Sequence, residues 1–262
     1  RGHGCGPSLF MAWFTCSGVV ITLLIVSPMK VRATITRILQ ETPSVKSFLL
    51  DLGGADFSFL PGQWVDLYVD TGGSVQVGGF SISSSPLQRG SIEIAVKKIQ
   101  SGVPSVYLHE RAREGDSFMI EGGFGDFYYQ RDMGSSVVLI AGGIGITPLM
   151  SILRYVDGAH PDVEATLLYS AKTPSELLFW EALRDMADRN PRIRCAFTVT
   201  QPGGEPWEGR RGRIDKAMLK ECMPGKEALF YLCGPTPMLD DISDALAGLG
   251  VATSRMRTER WW

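Results

Sequence analysis

The hydrophobic pattern of this chain changes near residue 130, and this change constrains the fold more than any single motif. Before it, short β-branched segments that often alternate in polarity are separated by Gly, Pro, Ser and Asp. These segments are 30–39, 45–52, 63–69, 79–83, 91–99 and 116–122. Short strands at close spacing with turn residues between them are typical of a small barrel or sandwich. We therefore predict an antiparallel β-barrel for the first part of the chain.

After residue 130, fully apolar segments alternate with segments of helical spacing. The predicted strands are 136–143, 164–171, 193–200 and 227–234, and the predicted helices are 147–156, 173–188 and 236–250. The second helix is expected to begin with a capping box from Thr173 to Glu176, with Pro174 at its first position. Strand–helix alternation of this kind predicts a parallel sheet with crossover helices.

Two domains follow from these patterns, with the seam near residues 130–135. The fold class predicted is an N-terminal antiparallel β-barrel over 29–132, followed by an α/β parallel-sheet domain over 133–262. Residues 1–28 form an N-terminal extension.

Composition excludes several classes of protein. The 262 residues are 44% hydrophobic and carry a net charge of −2, which is ordinary for a globular protein and predicts no nucleic-acid binding. The five cysteines include no CxxC pair, so neither a disulfide framework nor a zinc or iron–sulfur site is indicated. We expect no metal site and a reducing compartment.

The N-terminal extension contains an uncharged apolar stretch at residues 9–26. Its length is at the lower limit for a membrane-spanning segment, so a membrane anchor or an uncleaved signal peptide is one interpretation. A buried N-terminal element is another. A third is sequence upstream of the mature protein, since the chain begins with Arg1 rather than Met.

Two motifs in the second part of the chain have the form of ligand-binding loops. In LIAGGIGITP, residues 139–148, a buried strand runs into glycines and a helix start, although Pro148 stands where a third glycine is usual. In LCGPTPM, residues 232–238, another strand precedes a helix for which Thr236 is the expected N-cap. Ligands in open α/β sheets bind at the carboxyl ends of strands, so the two loops are predicted to border one cleft. A plain tight turn is the alternative for the first motif.

Two further motifs lie in the predicted barrel. GGFSISSSP, residues 78–86, places small hydroxyl side chains around one aromatic residue, which suits a flat ring or, equally, a serine-rich edge strand. Gly102 and Ser105 open a short helical turn that is a candidate phosphate-binding loop.

Taken in order, these motifs resemble those of the ferredoxin–NADP reductase superfamily. The matching patterns are F-x-x-G-Q at 59–63, F-S-I at 80–82, G-x-x-S-x-x-L at 102–108, G-D-x-x-x-I-x-G-x-x-G-x-F at 115–127, G-G-x-G-x-T-P at 142–148 and C-G-P-x-P-M at 233–238. The resemblance covers about residues 29–262 and is specific because six motifs occur in the family's order. It implies a flavin on the barrel, NAD(P)H on the α/β domain, and hydride transfer from the nicotinamide to flavin N5 across the cleft.

The resemblance also implies residue roles. Ser81, Cys233 and Glu259 would form the catalytic cluster, with Ser81 near flavin N5 and Cys233 beside the nicotinamide. The cofactor-binding residues would be Phe80, Ile82, Lys97, Gly102, Ser105 and Trp262, together with Gly142, Gly143, Gly145, Ile146, Thr147, Pro148, Lys172, Gly234, Pro235 and Met238. Among these, Gly102 and Ser105 would hold the flavin phosphate.

One departure from the family pattern concerns the flavin. The superfamily motif R-x-Y-S reads Gly78-Gly79-Phe80-Ser81 here, so the arginine that pairs with the flavin phosphate and the tyrosine hydroxyl are both missing. A charge-assisted phosphate contact contributes a few kcal/mol, so flavin is expected to bind weakly unless Lys97 or Arg89 substitutes. We expect FAD, with FMN as the alternative.

The coenzyme preference depends on residues after the second and third parallel strands. Lys172 stands where an acidic ribose-binding residue is usual, which would suit a 2′-phosphate. Glu176 lies one turn further on, and Thr200-Gln201 replaces the Ser-Arg pair of NADP-specific relatives. Three arginines at 210, 211 and 213 supply either a phosphate site or a solvated basic turn. We expect NAD(H) to be preferred over NADP(H).

The predicted function is that of a flavin-dependent NAD(P)H oxidoreductase. The chain has no iron–sulfur cysteine cluster and only three histidines, so electrons must pass to a separate acceptor such as a protein, a quinone or a small molecule. A nucleotide-sensing protein that keeps the fold with little turnover is the alternative. Narrower motifs resemble a mitochondrial-type subgroup, which implies a mitochondrial location; membrane anchoring through 9–26 or a cytoplasmic location are the alternatives.

The chain ends on Glu259-Arg260-Trp261-Trp262. Members of the superfamily often end in an aromatic residue that covers the flavin ring. The resemblance implies that Trp262, with Trp261 beside it, stacks on the flavin as a lid. A hydrophobic tail packed against the sheet is the alternative.

Overall fold

The computed structural model describes residues 9–16, 19–26 and 30–260, and only the backbone of the first two ranges. Strands β1 (Leu9–Cys16) and β2 (Val19–Val26) pair as an antiparallel hairpin. Within these three ranges, no helix is long and apolar enough to cross a membrane. The predicted lid, Trp261 and Trp262, lies outside the described residues.

The first domain is the predicted antiparallel barrel. Its strands are β3 (Val31–Thr42), β4 (Val45–Asp51), β5 (Trp64–Asp70), β6 (Val75–Ser81), β7 (Ser91–Lys97) and β8 (Ser117–Phe124), and helix α1 (Val103–Glu110) packs against them. They form one sheet in the order β6-β5-β8-β3-β4-β7. A bridge between Ile82 and Ile94 joins its two edges, and both side chains are fully buried in the barrel core. The antiparallel β-barrel prediction is confirmed.

The second domain is a parallel sheet covered by helices. Its strands are β9 (Ser136–Gly142), β10 (Glu164–Ala171), β11 (Ile193–Val199), β12 (Arg210–Arg211), β13 (Leu229–Gly234) and β14 (Met256–Arg260), in the order β12-β11-β10-β9-β13-β14. Its helices are α2 (Ile146–Ala159), α3 (Trp180–Arg189), α4 (Lys216–Cys222) and α5 (Thr236–Ala247). The chain leaves β9 toward β10 on one side and later returns as β13 on the other. A switch point of this kind opens a crevice at the carboxyl ends of the strands.

Two predicted helix starts are wrong. Residues 174–176 form only a 3-10 turn, and α3 begins at Trp180 after Phe179, whose φ of 61° lies in the left-handed region. The Thr173 hydroxyl lies 3.0 Å from that of Ser175 and makes no cap. The N-cap of α5 is Pro235, one residue earlier than predicted, and α5 ends at Ala247 rather than at residue 250.

The packing of side chains places the seam between the domains before residue 130, earlier than the change in hydrophobic pattern does. Phe127 and Tyr129 precede residue 130, yet both are buried in the core of the α/β domain. The ring centroid of Tyr231 lies 5.4 Å from that of Phe127 and 6.4 Å from that of Tyr129, in edge-on contacts. The Tyr231 hydroxyl also donates to the carbonyl oxygen of Tyr128 at 2.8 Å. Tyr231 on β13 therefore ties the end of the barrel to the centre of the parallel sheet.

Candidate functional site

The two predicted glycine loops lie side by side because their glycines have no side chains. An added Cβ at Gly145 would lie 2.3 Å from the carbonyl oxygen of Cys233, and one at Gly142 would lie 2.5 Å from Sδ of Met238. An added Cβ at Gly234 would meet Cα of Gly142 at 3.1 Å. The loop after β9 and the loop after β13 therefore meet at backbone distance, as predicted from the two motifs.

A cavity of about 590 Å³ opens beside these loops. It is bounded by the carboxyl ends of β9, β10, β11 and β13 and by the barrel turn between β3 and β4. Its lining includes six residues predicted to bind cofactor: Lys97, Gly142, Gly143, Lys172, Pro235 and Met238. The barrel contributes Ser44 and Val45, which no sequence motif indicated. The cavity therefore lies between the domains.

Charged side chains give this cavity a mostly positive lining. Lys97, Lys172 and Arg213 contribute cations, and Glu176 contributes one carboxylate. The Glu176 carboxylate accepts hydrogen bonds from the hydroxyls of Ser44 at 2.5 Å and Thr42 at 3.2 Å, so it holds the α/β domain against the barrel. An anionic ligand is the chemistry that this lining favours.

The three arginines at the end of the third parallel strand have separate environments. Arg210 pairs with Glu221, and Arg211 donates to the carbonyl oxygen of Trp207 at 3.2 Å. Arg213 lines the cavity with a side chain that is 82% exposed, and its nearest carboxylate is Asp241 at 3.9 Å. Arg210 and Arg211 are therefore exposed residues of β12 with partners of their own rather than part of a turn, whereas Arg213 lines the cavity.

The remaining residues of the first glycine motif build the loop. Ile146, Thr147 and Pro148 are buried in the first turn of α2, and the Thr147 hydroxyl donates to the carbonyl oxygen of Ile144 at 3.0 Å. Gly143 has a φ of 54°, and an added Cβ there would meet nothing within 4 Å. The loop before α2 thus presents glycine backbone to the cavity, where the free amide groups and the dipole of the following helix favour phosphate.

Two of the three predicted catalytic residues lie on neighbouring strands of the parallel sheet, and the third lies in the barrel. Cys233 on β13 pairs in register with Glu259 on β14, and Cys233 is fully buried. Ser81 on β6 pairs with Trp64 on β5. Glu259 Oε1 and Trp64 Nε1 approach Gly125 from two sides, at 4.0 and 2.9 Å from the position of its absent Cβ. Glu259 of the parallel sheet and Trp64 of the barrel therefore both come close to Gly125.

The flavin-side residues of the barrel show where the missing arginine would stand. An added Cβ at Gly78 would lie 2.9 Å from Cε2 of Phe80 and 2.9 Å from Cβ of Pro104. The Phe80 ring thus lies over Gly78 and against the start of α1. Neither Phe80 nor Ser81 lines the 590 Å³ cavity.

Other barrel residues proposed for cofactor binding are engaged in structure. The Ile82 side chain packs in the barrel core, so it faces no ligand. The Ser105 hydroxyl is buried and donates toward the carbonyl oxygens of Gly102 at 2.9 Å and Ile99 at 3.1 Å. Phosphate binding at this turn would therefore use the backbone at Gly102 and the first turn of α1 rather than the Ser105 hydroxyl.

Serines 83 and 84 serve the barrel rather than a ring. The Ser83 hydroxyl donates to the Glu93 carboxylate at 2.7 Å, and the Ser84 hydroxyl accepts from the Glu93 amide at 2.9 Å. Both residues are fully buried. Ser83 and Ser84 therefore bond within the barrel, and they follow β6 rather than form part of an edge strand.

Family models match both domains in order. Residues 32–129 match the oxidoreductase FAD-binding domain, and residues 139–244 match the oxidoreductase NAD-binding domain. Oxidoreductase NAD-binding domain-containing protein 1 of Danio rerio is 36% identical over 251 residues, covering 88% of this chain and 91% of the relative. The human protein of that name is 37% identical over 245 residues, covering 85% of this chain and 77% of the relative.

A bacterial relative and two solved structures agree with this match. The glycine betaine monooxygenase reductase subunit of Chromohalobacter salexigens is 33% identical, covering 85% of this chain and 62% of the relative. The FAD/NAD-binding domain of nitric oxide dioxygenase from Vibrio cholerae is 25% identical with a TM-score of 0.76, covering 88% of this chain and 98% of that one. The cytochrome b5 reductase domain of Ulva prolifera nitrate reductase is 21% identical, also with a TM-score of 0.76, covering 88% and 97%. With an FAD-binding barrel followed by an NAD-binding parallel sheet, this chain belongs to the ferredoxin–NADP reductase superfamily of oxidoreductases.

Proposed function

We propose that this protein is a flavin-dependent NAD(P)H oxidoreductase that passes electrons to a separate acceptor. The observation that carries the proposal is the interdomain cavity, which brings together the glycine loop before α2 and the cations Lys97, Lys172 and Arg213 at one edge of the parallel sheet. Cys233 and Glu259 lie in register on β13 and β14 of the parallel sheet, and Ser81 ends β6 of the barrel. A flavin, when bound, supplies hydride acceptance from the nicotinamide and onward electron transfer.

The residues around the cavity fit a dinucleotide. The exposed backbone at Gly143 and the start of α2 would bind the pyrophosphate, as free amides at helix N-termini do. Lys97 would neutralise phosphate charge from the barrel side of the cavity. Pro235 and Met238, on the loop after β13, would shape the pocket for the nicotinamide ring.

The residues on the barrel fit a flavin ring with a weakened phosphate site. Within the described ranges, the Ser81 hydroxyl has no hydrogen-bond partner, which leaves it able to bind the edge of the ring. Gly78 brings no charge where the family has arginine, so phosphate binding would depend on the backbone at the start of α1 and on Lys97. We propose FAD as the flavin, with FMN distinguished by mass after extraction.

Positioning is the main task of these side chains in hydride transfer. Ser81 would orient the edge of the flavin ring, and Cys233 would pack beside the nicotinamide. The Glu259 carboxylate would place a negative charge next to Cys233. Holding two rings at reacting distance and excluding water accounts for most of the rate enhancement available to such a site. The acceptor and a mitochondrial location stay predictions.

The test of this function uses the purified protein. We expect a visible flavin spectrum, directly or after addition of FAD, that bleaches when NADH is added without oxygen. A colourless protein that takes up neither FAD nor FMN would contradict the enzyme function. That outcome would support the alternative of a nucleotide-sensing protein, which the glycine in place of the phosphate-binding arginine favours.

The coenzyme preference yields a separate prediction. Glu176 is engaged by Ser44 and Thr42, while Lys172 and Arg213 both line the cavity, so a 2′-phosphate would meet cations there. We expect NADH to be preferred over NADPH by no more than about tenfold in kcat/KM, a difference of about 1.4 kcal/mol. Replacing Arg213 with alanine should lower kcat/KM for NADPH severalfold and leave that for NADH unchanged.

The control for this experiment is Arg211→Ala, since Arg211 lies on β12 two residues before Arg213 and bonds to Trp207 instead of lining the cavity. Steady-state kinetics give kcat/KM, relative to wild type, for NADH and for NADPH in each of the two variants. Equal losses for NADH and NADPH in the Arg213 variant would contradict a role in 2′-phosphate recognition.

A further inference from the structure

A second set of polar contacts joins the domains away from the cavity. We call it the interdomain joint and define it as Ser83, Ser84 and Glu93 of the barrel with Ser151 and Arg154 of α2. The Ser151 hydroxyl donates to the carbonyl oxygen of Ser84 at 2.7 Å. Nη1 of Arg154 donates to the carbonyl oxygen of Ser83 at 2.9 Å and to Oε1 of Glu93 at 2.6 Å.

The joint is largely removed from water. Ser83, Ser84 and Ser151 are fully buried, and the side chains of Arg154 and Glu93 are 25% and 19% exposed. A buried hydrogen bond has a narrow range of favourable distances and angles, whereas an apolar contact tolerates sliding. The contacts therefore fix the position of α2 on the barrel more strictly than apolar packing would.

The barrel side of the joint lies on the ladder between β4 and β7 that faces the α/β domain. In this ladder Val45 pairs with Lys97 at the cavity, and Leu49 pairs with Glu93 at the joint. Between them, Ala95 packs into the core of the α/β domain together with Val45. One rigid pair of strands thus connects the cavity with the joint.

We propose that the interdomain joint positions the nicotinamide against the flavin. On the α/β side, Ser151 and Arg154 follow the start of α2 by about 7.5 and 12 Å along a regular helix. On the barrel side, Ser84 follows Ser81 by three residues, or about 10 Å of extended chain. Both halves of the proposed reaction site are therefore connected to the joint through short stretches of chain.

This proposal rests on the proposed function. It predicts that the joint affects the rate of hydride transfer and not the affinity for NADH. The joint residues do not contact the predicted nicotinamide pocket, so losing them should leave binding of NADH nearly unchanged. The distance between the rings would change instead, and a displacement of about 1 Å can slow an aligned reaction about 100-fold. The joint residues are positioning residues in this sense.

The experiment compares Glu93→Ala and Ser151→Ala with the wild-type holoprotein. We expect the limiting rate of flavin reduction at saturating NADH, measured by anaerobic stopped flow, to fall at least tenfold in Glu93→Ala. The dissociation constant for NADH and the flavin content should stay within twofold of wild type. Glu93→Gln keeps an acceptor oxygen for Arg154 and should recover part of the rate.

A matched control is Arg189→Ala. Arg189 of α3 forms an ion pair with Asp157 of α2, so the substitution removes a contact of the joint's helix that lies within the α/β domain. Amide hydrogen exchange gives a second readout: exchange in residues 82–96 should rise in Glu93→Ala and stay at the wild-type level in the control. The positioning role of the joint would be overturned if the limiting rate of flavin reduction were unchanged in both joint variants, or if it fell equally in the control. A wild-type protein that NADH cannot reduce would instead overturn the proposed function, and the joint's role with it.

Discussion

Replacing Gly145 with alanine is expected to destabilise the protein and to abolish most coenzyme binding. The φ of Gly145 is −61°, which alanine adopts freely, so the effect comes from contact alone. The new Cβ would lie 2.3 Å from the backbone carbonyl oxygen of Cys233, and one of the two loops must move. Overpacking of this kind costs about 1–3 kcal/mol of the free energy of unfolding.

The same displacement separates the two loops that border the cavity. We expect the dissociation constant for NADH to rise about tenfold or more, equivalent to about 1.4 kcal/mol of binding free energy. Thermal denaturation and isothermal titration measure the two effects separately. Gly225→Ala is the matched control, because an added Cβ there meets nothing within 4 Å. Wild-type affinity in Gly145→Ala would show that the loops are not held at backbone distance.

Replacing Tyr231 with alanine is expected to lower the free energy of unfolding by about 3–5 kcal/mol, the usual range for a large aromatic residue in a core. Tyr231 is fully buried, and its ring packs edge-on against Phe127 and Tyr129. The substitution would leave a cavity where the end of the barrel meets the parallel sheet. Denaturant unfolding followed by fluorescence and by circular dichroism measures the loss.

Tyr231→Phe separates the ring from the hydroxyl. This variant keeps both edge-on contacts and loses the hydrogen bond to the Tyr128 carbonyl, which contributes about 1 kcal/mol, and the weaker contact with Sδ of Met133 at 3.8 Å. We therefore expect it to unfold close to the wild-type midpoint. If alanine and phenylalanine destabilise the protein equally, the seam depends on the hydrogen bond and not on aromatic packing.

Local patterns predicted the fold class because the spacing of apolar residues differs between the two domains. Alternating short segments predicted the barrel, and fully apolar segments followed by helical spacing predicted the parallel sheet. The short elements β12, β14 and α4 were missed, since a two-residue strand and a seven-residue helix have too little periodicity to detect. The capping box at Thr173 was wrong because Glu176 bonds to Ser44 and Thr42 of the barrel, a contact between residues more than 130 positions apart.

Some residues of the candidate site could likewise be predicted from local patterns, and others could not. The glycines at 142, 143 and 145 were predicted from one short motif, because the need for close backbone approach is visible in residue type. Ser44 and Val45 were not, since they line the cavity only through the packing of one domain on the other. Ser83 and Ser84 looked like ligands for a ring, and their hydroxyls are instead engaged by Glu93.

The two domains, their order and the two glycine loops at the ends of β9 and β13 could be predicted from residue patterns, since each depends on interactions between near neighbours in the chain. Which charged and polar side chains face the cavity, and which hold the domains together, depends on how the two domains pack. Arg213 and Arg210 have the same chemistry, yet one lines the cavity and the other pairs with Glu221. Glu93 and Arg154 meet across the seam because β7 and α2 pack against each other, and spacing along the chain carries no information about that contact.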